Sequence, residues 1–530
     1  LRELNRHYHI YPSWRCLSLG LRRPYRNHDL LSQACFEQDN VTIVFRQNRR
    51  YGVTVIDKKR WRTNTVLQLR FMGELLIFLV PCRAAKAGLL VVVESIETTL
   101  GIWDSSLREV KSRIRGLFPQ ERVATSAGLF LEGLLRDEHR KTGWMRAKAA
   151  GDPGPWRQQA ILGRAKWDAD ALRDIVRKYA LETLADSDAV LVIDETGFIK
   201  QGKTSCGVAR QINGSTGKMA NCQIGLFAAY VSRHGHAFID RALYLPRAWT
   251  EDSARLARAH VPVGASFTTK SRMALDMIAR TVAADVPLGW IAVDHVWGVD
   301  IEMALRRWCK GYVVGVSASH NFFLTRPAFS QQVETAEDIA RSVHPSQWRS
   351  LPLQEGLQGS ETWAYCPFAD LDVAEYDNAR SGLWTAGLLI RRDANHAFRY
   401  FSTWAPAGTE IETLFAVRQC CKIAEDGLGA AKSELGLEHN ETRSWHGWHR
   451  HVSLVMLAYA MVQTVRHKTG HWPSGPVGRF MVASRRFDRL PRIPKRPKPG
   501  SLGASSITPW NDQSGECHRK PFLIKMPAKQ

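Results

Sequence analysis

Two short apolar runs, each ending in an aspartate, constrain this chain more than any other feature. Ala189-Val-Leu-Val-Ile193 leads into Asp194, and Leu288–Val293 leads into Asp294. Both runs are continuously apolar and rich in β-branched residues, without the polar alternation of a half-wet strand. Each therefore predicts a strand buried on both faces. Such strands belong to α/β sheets covered by helices, and those sheets carry ligand sites at the carboxyl ends of their strands. Two carboxylates meeting at one sheet edge repel unless a cation lies between them, and Mg²⁺ or Mn²⁺ prefers such hard oxygen ligands. The plainer alternative is that each aspartate only caps the following turn. For one isolated run that alternative is the stronger; for two together the readings stand level.

A third acid lies on a helical stretch. Leu414, Val417, Cys421, Ala424, Leu428 and Ala431 recur at spacings of three and four, and Glu425 borders this stripe. A carboxylate there is costly unless paired or metal-bound. Lys432, two helical turns further on, shares the face and could reach a phosphate. A simple ion pair of Lys432 with Glu425 or Glu434 is the plainer alternative. If Asp194, Asp294 and Glu425 meet, they can hold two divalent ions about 4 Å apart, a device for hydrolysing or transesterifying phosphodiesters.

Charge points to the same partner. Lysine and arginine number 73 against 51 acidic residues, a formal net charge of +22. The excess crowds into 1–70, 106–150 and 466–498, as suits a polyanion, with an anionic membrane surface as the rival. The most apolar stretch, Leu75 to Val93, contains Pro81, Arg83 and Lys86, which argues against a lipid-spanning helix. The ten cysteines form no C-x-x-C pair, and reduced thiols of a cytosolic protein are expected.

Helical spacing predicts helices over Trp103–Phe118, Thr125–Arg136, Asp168–Leu184, Lys270–Ala283 and Ile301–Lys310, and helices dominate 409–467. A hairpin is predicted over Cys222–Val231 and Ala237–Tyr244, a strand at Tyr312–Val316, and a second hairpin over Trp384–Trp404. Residues 318–380 read as polar and irregular.

These residues sit in blocks that resemble the DDE transposases of bacterial insertion sequences, especially the insertion-sequence 701 family. The blocks are VLVIDETGFIKQGK (190–203), GVARQINGSTGKMANCQIGLFAAYVSRHGHAFIDRALYLP (207–246), WIAVDHVWGVD (290–300), AKSELGLEHNETRSW (431–445) and GWHRH (447–451). The second block is the most specific. The resemblance, over about 96–467, implies an α/β fold: a ribonuclease-H-like mixed sheet with flanking helices, interrupted by a β-rich insertion and preceded by a helical region. The corresponding divisions are 1–95, a basic arm or translated upstream sequence; 96–187, helical and DNA-end-binding; 188–317 and 409–467, the two parts of the catalytic core; 318–408, the insertion; and 468–530, a basic Pro-rich tail expected to be disordered.

Carried over by residue, the resemblance makes Asp194, Asp294 and Glu425 the catalytic and metal-binding acids for two Mg²⁺ or Mn²⁺ ions. It implies a transposase that binds terminal inverted repeats in double-stranded DNA and carries out cut-and-paste strand transfer as a homodimer, in the bacterial cytoplasm at the nucleoid. The superfamily signature is Tyr, two residues, Arg, three residues, Glu, six residues, Lys. Here Glu425 and Lys432 fit, but Cys421 stands in place of the Arg and Arg418 in place of the Tyr. Gly427 and Gly429 each weaken the helix by about 1 kcal/mol relative to alanine. An inactive, transposase-derived DNA-binding protein is therefore the alternative, and a cellular nuclease such as a junction resolvase a weaker one.

Further DNA-binding candidates are Lys200, Lys203 and Arg210, past the first aspartate, and Arg443 and Arg450, near a helix start. For the first three a solvated loop is an equal alternative. Glu195 is expected to be structural, since it points to the opposite face from Asp194. A zinc site at His446, His449 and His451 lacks a fourth ligand. Trp297 and Trp404 could stack on an unpaired base, though core packing is the plainer role.

Overall fold

In a computed structural model, the described residues are four short strands within 15–79 and then 85–470, except 137, 139, 214–216, 295–298, 326–330, 353–359, 369–383 and 394. Most of the basic arm, the tail beyond 470 and Trp297 lie outside them.

Five helices lead into the sheet: α1 (Ala85–Arg115), α2 (Glu121–Leu135), α3 (Gly143–Ala150), α4 (Trp156–Gly163) and α5 (Ala169–Leu184). Helix α1 runs through the boundary placed at residue 95. Thr142 and Asp168 cap α3 and α5 by accepting from backbone amides of the first turn.

Among the described residues, ten strands form one mixed sheet. Strand β1 (Val190–Ile199) pairs antiparallel with β3 (Lys218–Ser232), which pairs antiparallel with β4 (Gly235–Leu243) and, further along, with β2 (Ala209–Asn213). On its other side β1 pairs parallel with β5 (Trp290–Val293), and β5 pairs parallel with β6 (Gly311–Val316). Leaving β2 aside, the first five strands run in the spatial order third, second, first, fourth, fifth, with only the second antiparallel to the rest. That is the ribonuclease-H-like arrangement expected. Both aspartate-terminated runs are fully buried strands, side by side, as their unbroken apolar character requires.

Helix α6 (Lys270–Ala283) and helix α7 (Val299–Arg307) flank β5 in sequence. The described residues of 318–380 are not the irregular segment that the sequence predicts. They contain a hairpin, β7 (Asn321–Thr325) with β8 (Gln331–Thr335), then α8 (Ala336–Ser342), β9 (Arg349–Pro352) and β10 (Ser360–Phe368). Strands β9 and β10, with β11 (Trp384–Arg392) and β12 (Phe398–Pro406), extend the main sheet, because β12 pairs antiparallel with β6. Only Trp363 and Ala364 of β10 are buried, and they are adjacent, so no period of two announces the strand.

Helix α9 (Ile411–Leu435) packs across β1, β5, β6 and β3, and α10 (Trp445–Thr469) packs on β4, α5 and α1. Gly427 lies inside α9, where a Cβ would come within 2.8 Å of the Tyr459 hydroxyl and 3.3 Å of His236 and Phe238. Glycine at 427 therefore permits close packing of α9 on α10 and β4. The helical region is joined to the core by polar bonds: Arg241 donates to Asp170 at 2.7 Å and to the Ala169 carbonyl at 2.8 Å, and Gly143 N donates to Glu441 at 2.9 Å. Among the described residues, no helix is long and apolar enough to cross a membrane.

Candidate active site

Strands β1 and β5 are in parallel register, with Ile193 opposite Val293. The residues that follow, Asp194 and Asp294, thus stand abreast at the carboxyl edge of β5, where β1 continues alone beside β3. Alternation along β1 sends Asp194 and Phe198 to the face covered by α9 and Glu195 to the other face. Phe198 accordingly lies under Lys432 of α9, whose ammonium is 5.5 Å from the ring centroid. Glu195, buried on the opposite face, is held by Lys270 at 2.7 Å, the structural role expected of it.

Above the aspartates α9 presents Arg418, Cys421 and Lys432. Arg418 is buried, donates from Nη2 to Oδ2 of Asp294 at 2.7 Å and lies over Phe401 at 5.5 Å. Burial works against its charge, but Asp294, Cys421 and Glu361 together more than offset this and hold the guanidinium above the ordinary arginine range. Arg399, on β12, approaches the same carboxylate oxygen to 3.9 Å. Burial pushes the Cys421 thiol well up, and the charges of Asp294 and Asp194 push it further, so it is a neutral thiol facing both acids. Lys432 donates to the Gly197 carbonyl at 3.0 Å. Desolvation lowers its ammonium below the ordinary lysine range, while the nearby carboxylates of Glu438 and Asp194 work the other way.

Glu425 is different. It follows Cys421 by four positions and precedes Lys432 by seven, so its backbone lies on the same helix face. Its side chain, however, is 63% exposed and pairs with Lys422 at 3.0 Å. Among the described residues no three acids, histidines or cysteines are gathered as a metal cage. The structure thus brings Asp194 and Asp294 together and leaves Glu425 turned outward at their border. A divalent cation fits this donor set: the Oδ1 atom of Asp294 is buried with no hydrogen-bond partner and is a hard oxygen donor beside Asp194. An exposed pair such as Lys422–Glu425 is worth only about 0–1 kcal/mol, so breaking it costs little; the repulsion of the two aspartates is what opposes an inward turn, and a bound cation would offset it.

Of the other cations, Lys203, Arg210 and Arg443 are exposed. The loop of Lys203 and the segment of Arg443 adjoin, because Cys206 N donates to the Arg443 carbonyl at 3.0 Å. Lys200 is not a solvated cation: desolvation lowers it, and it donates to the Asn440 carbonyl at 2.8 Å, tying those two segments together. Arg450 is likewise internal. It donates to the carbonyls of Leu162 at 3.0 Å and Trp167 at 2.9 Å and lies over the Trp167 ring, fastening the helical region to α10. Among the described residues the three histidines are not gathered as a metal site, and each gives a ring nitrogen to a backbone carbonyl: His446 to Gly163, His449 to Trp445, His451 to Gly436. Trp404 stacks on Trp384 with centroids 5.8 Å apart and carries Arg306 on its ring, a packing role. Sequence reasoning weighed Arg418 only as a departure from a signature. The signal that could have found its role is a charge sharing Glu425's helix face seven residues earlier.

The sheet order is that of a ribonuclease-H-like fold, and residues 116–363 match the family model described as DDE superfamily endonuclease. That segment carries both aspartates; Glu425 lies beyond it. More particularly, the chain is similar to a probable transposase for insertion sequence element IS701 from Microchaete diplosiphon, at 24% identity over 210 residues, 39% of this chain and 52% of the relative. The chain thus matches about half the length of that curated relative. Among solved structures, the NurA nuclease from Sulfolobus solfataricus aligns at 8% identity over 52% of this chain and 82% of that one. Its TM-score of 0.18 is too low to bear on fold or function.

Proposed function

We propose that the chain is a transposase of an insertion sequence, a DDE enzyme that cuts double-stranded DNA at the element's terminal inverted repeats and joins the freed ends to a target. The observation that carries this reading is the pair Asp194 and Asp294, abreast at one sheet edge under α9, with an orphaned carboxylate oxygen on Asp294. Asp194, Asp294 and an inward-turned Glu425 would hold two Mg²⁺ or Mn²⁺ ions. When bound, these ions activate an attacking oxygen and stabilise the departing one. The chain's own residues have separate tasks. Lys432, fixed by Gly197 and Phe198, supplies a positive charge beside Asp194 for a phosphate. Arg418 holds Asp294 in place. Lys203, Arg210 and Arg443 offer an exposed basic surface for the duplex. The synaptic complex is expected to be a homodimer.

One observation favours a second reading, a DNA-binding protein without cleavage activity: both Asp294 and Glu425 already have cationic partners, Arg418 and Lys422. Nicking of supercoiled plasmid in Mg²⁺ or Mn²⁺ separates the two. The expected result is nicking by the wild type and none by Asp294→Asn, with DNA affinity retained. Salt-sensitive binding without nicking by either protein would give the second reading instead.

A further inference from the structure

Strand β2 and the first part of β3 form a two-stranded ribbon that continues past the end of β1, where Ile199 pairs with Cys222. Its two faces differ. Asn213 turns onto β1, so closely that a Cβ on Gly197 would lie 2.4 Å from its amide oxygen. Alternation turns the neighbouring residue, Ile212, the other way. Ile212 and its direct cross-strand partner Met219 are 60% and 55% exposed. The two side chains stabilise the ribbon as a cross-strand pair and leave most of their apolar surface open to a partner.

The surroundings identify the partner's chemistry. Between Glu195 and Asp240 the chain has no acidic residue, while Lys203 and Arg210, the latter two residues from Ile212 and on its face, are exposed. A second copy of this chain would bring the same positive surface, on a protein of net charge +22, and repel it. Asp194 and Ile199 lie on one strand five residues apart, about 17 Å. A duplex with a phosphate at Asp194 therefore reaches the ribbon within about half a helical turn of roughly 34 Å.

We propose that this ribbon is a nucleic-acid contact that recognises opened duplex, with Arg210, on the same face, on a phosphate and Ile212 with Met219 entering an unstacked base step. Apolar wedges of this kind gain by covering base faces that a closed helix hides. The inference rests on the reading of the chain as a DNA-processing enzyme and adds a place where DNA distortion is sensed.

The test uses the full chain with two fluorescent probes, an intact duplex of arbitrary sequence and the same duplex carrying a central unpaired bubble. The wild type is expected to bind the bubble about ten-fold more tightly, the scale of burying two such side chains in part. Ile212→Ser with Met219→Ser is expected to erase that preference while leaving intact-duplex affinity within about two-fold, since the pair carries no charge. Arg210→Gln should weaken both probes equally. Equal wild-type affinity for both probes, or an undiminished preference in the double variant, overturns the proposal and leaves the function reading standing. Failure of the wild type to bind either probe sinks the function reading as well. A change in sedimentation of the DNA-free double variant would make the face a contact between copies and overturn the nucleic-acid assignment.

Discussion

Replacing Arg418 by methionine tests the candidate site without touching a proposed metal ligand. Methionine keeps much of the length and can still lie against Phe401, so what is removed is the charge on Asp294. Deleting one partner of a buried ion pair costs about 3–5 kcal/mol, chiefly through the charge left behind. Here Asp294 retains 30% side-chain exposure and has Arg399 at 3.9 Å, so about 2–3 kcal/mol is the better figure. With roughly 2–4 °C per kcal/mol in domains of this size, Tm falls by about 4–12 °C in metal-free buffer. The two aspartates, no longer neutralised from within, then bind a divalent cation more tightly. A tenfold gain in affinity returns about 1.4 kcal/mol at saturation, so Mn²⁺ recovers around half the loss in the variant and shifts the wild type less. Scanning calorimetry with and without Mn²⁺ reads both effects. Asp294→Asn combined with Arg418→Met should regain most of the stability, since a pair removed whole leaves no uncompensated charge. An unchanged Tm for Arg418→Met, or equal Mn²⁺ shifts in variant and wild type, would refute the reasoning.

Three further outcomes follow from the same geometry. His236, His449 and His451 are buried and pushed down by desolvation to about 3, against 6.5 for a free histidine, so the unfolded chain binds more protons between those values. Stability is therefore full above pH 6.5 and falls on acidification through that window, by up to about 1.4 kcal/mol per pH unit for each histidine. Urea unfolding at pH 7 and pH 5 checks the slope, which His451→Gln should flatten. Arg450→Met should cost about 2–4 kcal/mol by orphaning the Leu162 and Trp167 carbonyls, yet leave the salt dependence of DNA binding unchanged, whereas Arg443→Gln should lower its slope by about 0.9. Thiol labelling at pH 8 should reach Cys420 and Cys421 only on unfolding, because burial pushes both thiols up.

The fold was legible where periodicity is strong. The continuous apolar runs before Asp194 and Asp294 read as central strands because both faces are buried, and the spacing of Leu172, Val176 and Tyr179 read as a helix because one stripe is. The extension of the sheet from β6 to β9 was not legible. Its register depends on pairings such as Val314 with Ser402, and long-range partners leave no local mark. Likewise Lys200 and Arg450 looked like surface cations. Each is an internal tie to a backbone carbonyl more than two hundred residues away, a partner no local pattern announces.

The departures at 418, 421 and 427 have a common physical cause when taken together. Helix α9 faces the sheet with small residues, Cys421, Ala424 and Ala431, and its glycine at 427 lets it close on Tyr459, His236 and Phe238. An arginine at 421 would have to fit a position already buried against both aspartates. The guanidinium at 418 reaches Asp294 from seven residues ahead of Glu425, where the ring of Phe401 supports it. On this account the substitutions are mutually compensating: the small thiol permits the approach, and Arg418 supplies the charge that position 421 cannot. Restoring arginine at 421 alone should therefore destabilise the protein by overpacking, by about 1–3 kcal/mol or more with a second buried cation, rather than repair it. A Cys421→Arg variant that unfolds at the wild-type temperature would show that the helix has space to spare, and the three departures would then be independent.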